Sequence, residues 1–574
     1  VIAFSPDRED ERFFESQVRP LLVENCQKCH GPEQQKGGLR LDVRELAFAG
    51  GKSGPAFEPG RPDDSLLIEA VRYDGLKMPP KKPLSADQVR VLERWIERGA
   101  VWPSDGNRTS DQTIALRNAG SQLSAIDRAW WAIQPIHQPK TPLPELDLNW
   151  CSNPIDAFVS QQHTKNGLGH APEADRAALL RRLNFDLTGL PPSPEEIASF
   201  VADPRPDAYE KRVERLLNSP QFGERWARHW LDLVRYSESD GYKQDTYRPE
   251  SWRYRDYVLT AFNRDLPYDR FLTEQLAGDE LNPDDPSLRV ATTYLRLWPY
   301  EYNQRDVEGQ WDTILNDLTD VTADVFLGIG LSCARCHDHK FDPLLQTDYF
   351  RLQAFFAPLL PRDDLPLANP TENADALVSG AAWDLLTADL REQIALIEQP
   401  HKQAARADAI AKFQPHLQVI LNTPEADRSP RERQLAYLMQ RQLVEEFGNI
   451  QARIKGEEKQ RYDQLQAQLR KFDAIRPRQS PTAFCATDLG THSPRTLMPG
   501  RRETQDVSPG FPTILHPDPA AIETPPPGVN STGRRLALAR WMTSPENPLV
   551  PRVIANRLWQ YHFGRGLVAT SSDF

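Results

Sequence analysis

The sequence predicts a mainly α-helical protein of several domains, on three observations. Apolar residues recur at helical spacing along most of the chain, most clearly as Trp311, Ile314, Leu315, Leu318, Val321, Val325, Phe326 and Ile329. Gln, Arg, Glu, Ala and Leu repeat with the same period over residues 383–472. Two Cys-x-x-Cys-His motifs, at Cys26–His30 and Cys333–His337, each follow such a run directly. With 574 residues the chain exceeds what one core holds, so domains of roughly 100–200 residues are expected.

The first unit is expected over residues 4–103. Phe13, Val18, Leu21 and Leu22 are spaced as on a short helix, kinked near Pro20, that leads into Cys26. Two thiols two residues apart with a histidine next to the second are what covalent haem attachment requires: each thiol takes one vinyl group and the histidine reaches iron from the same turn. Cys26 and Cys29 are the attachment residues and His30 the ligand. A Gly- and Pro-rich loop follows from Gly31 to Pro62, then Met78-Pro79-Pro80. Ser85-Ala86-Asp87-Gln88 is a capping box for a last helix with Val89, Leu92, Trp95 and Ile96 on one face, ending before Gly99. This order resembles a small class I cytochrome c, which implies His30 on one face of iron and Met78 on the other. A thioether in the sixth position raises the potential and suits electron transfer. The competing role for Met78 is a loop methionine packed as core filler.

Residues 104–148 read as a proline-rich linker in which Trp130 and Trp131 pin the chain to a neighbour. A second, larger helical haem domain is expected over 149–361. Its segment from Phe222 to Tyr236 reads as one helix placing His229, Asp232 and Tyr236 on one face. An aromatic block follows, with Tyr242, Tyr247, Trp252, Tyr254, Tyr257, Trp298, Tyr300, Tyr302 and Trp311. Such faces with nearby carboxylates suit a sugar, and also core packing. Gly328 and Gly330 would let backbone approach a porphyrin before the second motif, where Cys333 and Cys336 attach and His337 ligates.

No Met-Pro-Pro follows His337, so the far side of the second iron is open to question. His229 is the candidate distal ligand, with Asp232 orienting its ring. His339 would need a chain reversal to reach that face and better suits contact with a propionate, a haem edge or substrate. For both, a hydrogen-bonded structural role competes. Asp338 and Asp342 suit a turn better than a cation site. Zinc would need four ligands, and each motif supplies three at most.

A long helical hairpin is expected over 377–475, with a turn at Thr423-Pro424 and solvated charged faces. A mixed C-terminal segment follows over 483–574, ending in helices from Arg534 to Met542 and from Val550 to Phe563. Cys151 and Cys485 are either paired or two free buried thiols.

Three sets of motifs resemble the large planctomycete cytochrome proteins: Cys26–His30 with Lys77-Met78-Pro79-Pro80; Arg228-His229-Trp230-Leu231-Asp232 with Cys333 to Pro343; and Gly533-Arg534-Arg535-Leu536-Ala537 with Asn556-Arg557-Leu558-Trp559-Gln560. The resemblance implies a cytochrome c domain, a planctomycete-specific helical domain and a further family-specific domain. It also implies two covalent haems c and redox work outside the cytoplasm, tied to complex-polysaccharide breakdown. Such proteins continue beyond Ser571–Phe574, so a further C-terminal portion is expected.

The net charge of −12 argues against nucleic acid and suits a basic redox partner protein. No apolar run approaches the ~20 residues that span a bilayer. Haem attachment to this motif points to a periplasmic or other extracytoplasmic compartment. The chain opens without a basic and apolar leader, as after removal or omission of a signal peptide. Two functions compete. In one, an oxidoreductase relays electrons through the first haem to a reactive second haem, with His339, His229 and Asp232 as acid, base or orienting groups on a saccharide-related substrate. In the other, both haems are six-coordinate and the protein only transfers electrons.

Overall fold

The computed structural model describes residues 10, 13–31, 34–80, 82–102, 123, 125–142, 150–242, 245–301, 305–367, 370–447, 450–477, 481–500 and 503–574. Helix makes up 56% of the structure and the strands are few and short, as the mainly α expectation requires. Two compact units divide at Gln122, the first Val1–Gln122 and the second Leu123–Phe574. Most of the 104–148 linker and Tyr302 lie outside the described residues.

In the smaller unit the apolar spacing before Cys26 folds as a π-turn, Phe14–Val18, running into the α-helix Arg19–Asn25. Pro20 sits in the first turn of that α-helix, where its missing N–H costs nothing. The expected kink is therefore a change of helical pitch. Ser85 and Gln88 form the capping box in both directions and open the helix Ala86–Glu97. Its buried face of Leu92, Trp95 and Ile96 meets Phe14, Val18 and Leu22, with Phe57 and Trp102 against Trp95. Each such apolar side chain contributes on the order of 2–3 kcal/mol on burial.

In the larger unit one continuous core runs through segments that are distant in sequence. Tyr254, Leu272, Tyr294, Trp298, Trp311, Phe326 and Tyr349 form its centre. Leu435, Leu438 and Met439 of the helix Pro430–Phe447 and Leu538, Ala539 and Met542 of Arg534–Met542 complete it. The base of the hairpin and the C-terminal segment are thus built into the helical body. The hairpin is broken into the helices Pro370–Ile410, Pro415–Asn422, Pro430–Phe447 and Gly456–Leu469. Proline begins the first three, as it suits a helix start, and Gly456 takes φ +62°. Ile394 and Ile397 pack with Ile454, Tyr462 and Leu465 in a small core of their own. A two-stranded antiparallel ribbon pairs Leu359–Arg362 with Cys485–Asp488, Leu359 facing Asp488.

One buried ionic cluster joins three of these segments. The Arg535 guanidinium, with no solvent exposure, donates to both Asp279 oxygens at 2.7 and 2.8 Å, to Asp488 at 2.9 Å and to the Leu276 carbonyl oxygen at 3.0 Å. Glu280 lies 3.2 Å away and accepts from the Ser531 hydroxyl and the Leu536 amide. Burial, opposed by Arg535, pushes the Glu280 carboxyl up to about 7.

Candidate haem-attachment sites

In the first motif the Cys26 amide donates to the Leu22 carbonyl at 2.9 Å, and the Cys29 and His30 amides both donate to the Cys26 carbonyl, at 3.1 and 3.0 Å. Both thiols and the imidazole therefore leave from a single turn. Gly31 is required next, because a Cβ there would lie 2.3 Å from the Gln27 carbonyl oxygen. Burial first, then neighbouring Cys29, pushes the Cys26 thiol up to about 11. The His30 Nδ1 is buried with no hydrogen-bond partner among the described residues. An unsatisfied imidazole beside two thiols fits the donor set of an attached haem.

Met78 is 38% exposed and lies outside the apolar core, which removes the core-filler role. Its loop is pinned by the Met78 amide on the Ala70 carbonyl at 3.0 Å and by the Tyr73 hydroxyl on the Pro79 carbonyl.

The second motif grows out of the helix Val307–Thr322, which widens into a π-turn over Ala323–Leu327 and stops at Gly328. A 3-10 turn, Leu331–Arg335, then buries Leu331 and Ala334 and leaves Cys333 and Cys336 exposed. The His337 ring is also exposed, with Nδ1 2.8 Å from the Asp338 carbonyl oxygen. That carbonyl can only accept, so it holds the Nδ1–H tautomer and leaves the Nε2 lone pair for a metal. The donor set fits haem here as well. Among the described residues, no three of His, Cys, Asp or Glu converge as a cage for a metal ion.

Gly328 has a different use from the one its position suggests. At φ +61° it ends the helix, and a Cβ on it would lie 2.6 Å from Val553 and 3.1 Å from the Phe574 ring. Its small size admits the C-terminal segment. Trp130 and Trp131 meet the same residue: Trp130 donates to the Phe574 carbonyl at 3.0 Å and Trp131 packs 5.9 Å from its ring.

His229 projects from the helix Pro220–Leu233 and stacks on Tyr561 with centroids 4.0 Å apart, Trp226 meeting it edge-on at 5.4 Å. Burial and then Arg225 push this imidazole below its usual range. Asp232 is exposed, and no hydrogen bond joins it to His229 among the described residues. The helix stops at Leu233 and Arg235 takes φ +54°, so Tyr236 leaves the expected face; it stacks on Tyr254 and donates to Glu238 at 2.9 Å.

The His339 Nδ1 accepts the Asp342 amide at 2.8 Å, with the Asp342 carboxylate 3.1 Å from the same nitrogen. Both contacts fall on Nδ1, so the ring closes the 339–344 loop and leaves Nε2 clear of it. Asp338 accepts the Gln346 amide at 2.8 Å, the turn role expected of it.

Half of the described aromatic block is core: Tyr254, Trp298, Tyr300 and Trp311 are buried, while Tyr242 and Tyr247 are exposed. Trp252 and Tyr257 instead line a cleft of about 750 Å³ with Arg253, Arg264, Arg270 and Glu274. Cys151 and Cys485 are not paired: Cys485 is buried and Cys151 half-buried.

Two groups near the second motif escaped sequence reasoning. Arg557, almost fully buried, donates to the carbonyl oxygens of Asp324, at 2.7 Å, and Val325, where the π-turn leaves its ladder irregular. Asp324 is pushed up to about 6 by burial and by Asp320. The signal for Asp324 was its place, after Asp317 and Asp320, beside the apolar stripe of Leu318, Val321 and Val325.

Three family models match. Residues 26–82 match Planctomycete cytochrome C, PSCyt1. Residues 154–360 match PSCyt2 and residues 534–574 match PSD1, both described as protein of unknown function (DUF1549 and DUF1553). No curated protein and no solved structure matches the chain. The cytochrome c match implies covalently bound haem c.

Proposed function

Because the chain belongs to the multidomain planctomycete cytochrome c proteins, we propose that it is an extracytoplasmic dihaem redox protein with a relay haem and a reactive haem. The relay is the haem on Cys26 and Cys29, between His30 and Met78. The reactive haem is the one on Cys333 and Cys336, held by His337. Haem supplies one-electron chemistry at both places.

One observation carries the reading. Both thiols and the His337 ring stand exposed on one turn, with Nδ1 tied to a carbonyl and Nε2 left as ligand, while no pinned methionine loop follows. His339, Asp232 and His229 are the groups proposed to act beside it. His339 offers its Nε2, because both loop contacts fall on Nδ1. A saccharide-related substrate is supported by the cleft that Trp252 and Tyr257 line together with Glu274. A redox partner protein completes the scheme, and among the described residues no helix is long and apolar enough to cross a membrane.

Intact mass under denaturing conditions tests the count. The holoprotein should carry two covalent haems, Cys336→Ala and Cys29→Ala one each, on opposite peptides after digestion. A native holoprotein that carries only one haem, still present in Cys336→Ala, would end the proposal.

A further inference from the structure

A cavity of about 520 Å³ in the larger unit adjoins the cleft of Trp252 and Tyr257, sharing Ala261, Leu266 and Pro267 with it, and its Trp226 meets His229, but the scheme above gives it no ligand. Its volume is within the roughly 300–1,000 Å³ of small-molecule sites. The walls are Leu187, Leu217, Phe222, Phe262, Phe271 and Leu558, so the matched regions 154–360 and 534–574 build it together.

Polar groups on this lining are few and specific. The His562 Nδ1 stands 2.6 Å from an Asp186 carboxylate oxygen. In the neutral ring the carboxylate takes the Nδ1 proton as its hydrogen bond, and Nε2 is left as an acceptor. Trp226 packs 4.8 Å from that imidazole, and its indole N–H is buried with no hydrogen-bond partner among the described residues. Asp265 also lines the cavity. With Asp186 and Asp265 close by, an anion would be repelled, and apolar walls would leave most hydroxyls of a sugar without partners.

We propose that this cavity binds a small apolar molecule bearing one hydroxyl, a phenol in its simplest form, with its ring against the aromatic walls and its hydroxyl donating to His562 Nε2. The apolar face supplies affinity and the half-exposed His562–Asp186 pair supplies selection, because the hydroxyl gains one net hydrogen bond there that the analogue lacking it cannot make.

The test is calorimetric titration of the oxidised holoprotein with p-cresol and with toluene at pH 8. p-Cresol should bind about fivefold more tightly, the worth of one net hydrogen bond. His562→Phe should bind both equally, and Asp186→Asn, whose amide oxygen still accepts the Nδ1 proton, should keep the preference. Leu217→Trp, at a 37% exposed position where folding tolerates bulk, should abolish both by filling the space. Equal binding to the native protein, or none, overturns the proposal. So does a Soret shift on adding p-cresol, which would put the ligand on iron, or self-association lost in Leu217→Trp, which would make a second copy the occupant. None of these results depends on the haem count.

Discussion

Replacing Arg535 by methionine keeps the bulk of the side chain and removes its charge from a site with no solvent exposure. The side chain gives up a bidentate bond to Asp279, one to Asp488 and one to the Leu276 carbonyl, with Glu280 alongside. Three carboxylates then share a buried space with no cation. Breaking a buried ion pair from one side costs about 3–5 kcal/mol, and more partners are stranded here, so the upper part of that range is expected at pH 8. In acid the loss should shrink, because the stranded carboxylates take up protons. Urea unfolding followed by tryptophan fluorescence at pH 5 and pH 8 reads both effects. A loss below about 1 kcal/mol at pH 8, or the same loss at both pH values, would refute the idea that Arg535 neutralises this cluster.

The Glu280 carboxyl, raised to about 7 from an ordinary value near 4.5, binds its proton more tightly in the folded state. Its contribution of about 3 kcal/mol is fully present below pH 4.5 and lost as pH rises through about 7, so Glu280→Gln should flatten that part of the stability profile. Gly328→Ala forces a Cβ to within 2.6 Å of Val553 at a positive φ and should cost about 2 kcal/mol or more, read as a lower urea midpoint. Met78→His should lower the potential of the first haem in a redox titration and leave the second unchanged; movement of both, or of neither, would count against Met78 as ligand.

Local features were legible because they depend on neighbouring residues. The Ser85 box, the Trp311–Phe326 stripe and the helix end before Cys26 follow from spacing and capping alone. What was not legible depends on which distant face comes to lie against them. Nothing near His229 in sequence announces Tyr561, and nothing near Gly328 announces Val553 and Phe574. Periodicity also misread one stretch, and composition left another open. The Pro220 helix ends one turn before Tyr236, where Arg235 adopts a left-handed conformation. The aromatic block suits a sugar surface and core packing alike in composition; Tyr254, Trp298 and Tyr300 are interior rings of one core, and only neighbours from other helices distinguish the two uses. Arg535 looked like one basic residue in a motif and became the counter-ion of acids more than 250 residues away.

The difference between a relay haem and a reactive haem is tested most directly by carbon monoxide difference spectroscopy of the reduced holoprotein, with Cys29→Ala and Cys336→Ala as controls. The account predicts that one haem of two binds carbon monoxide, that Cys29→Ala retains the response and that Cys336→Ala loses it. A native protein indifferent to carbon monoxide, with sensitivity appearing only in His229→Ala, would contradict it and leave a pure electron-transfer protein with His229 on the second iron.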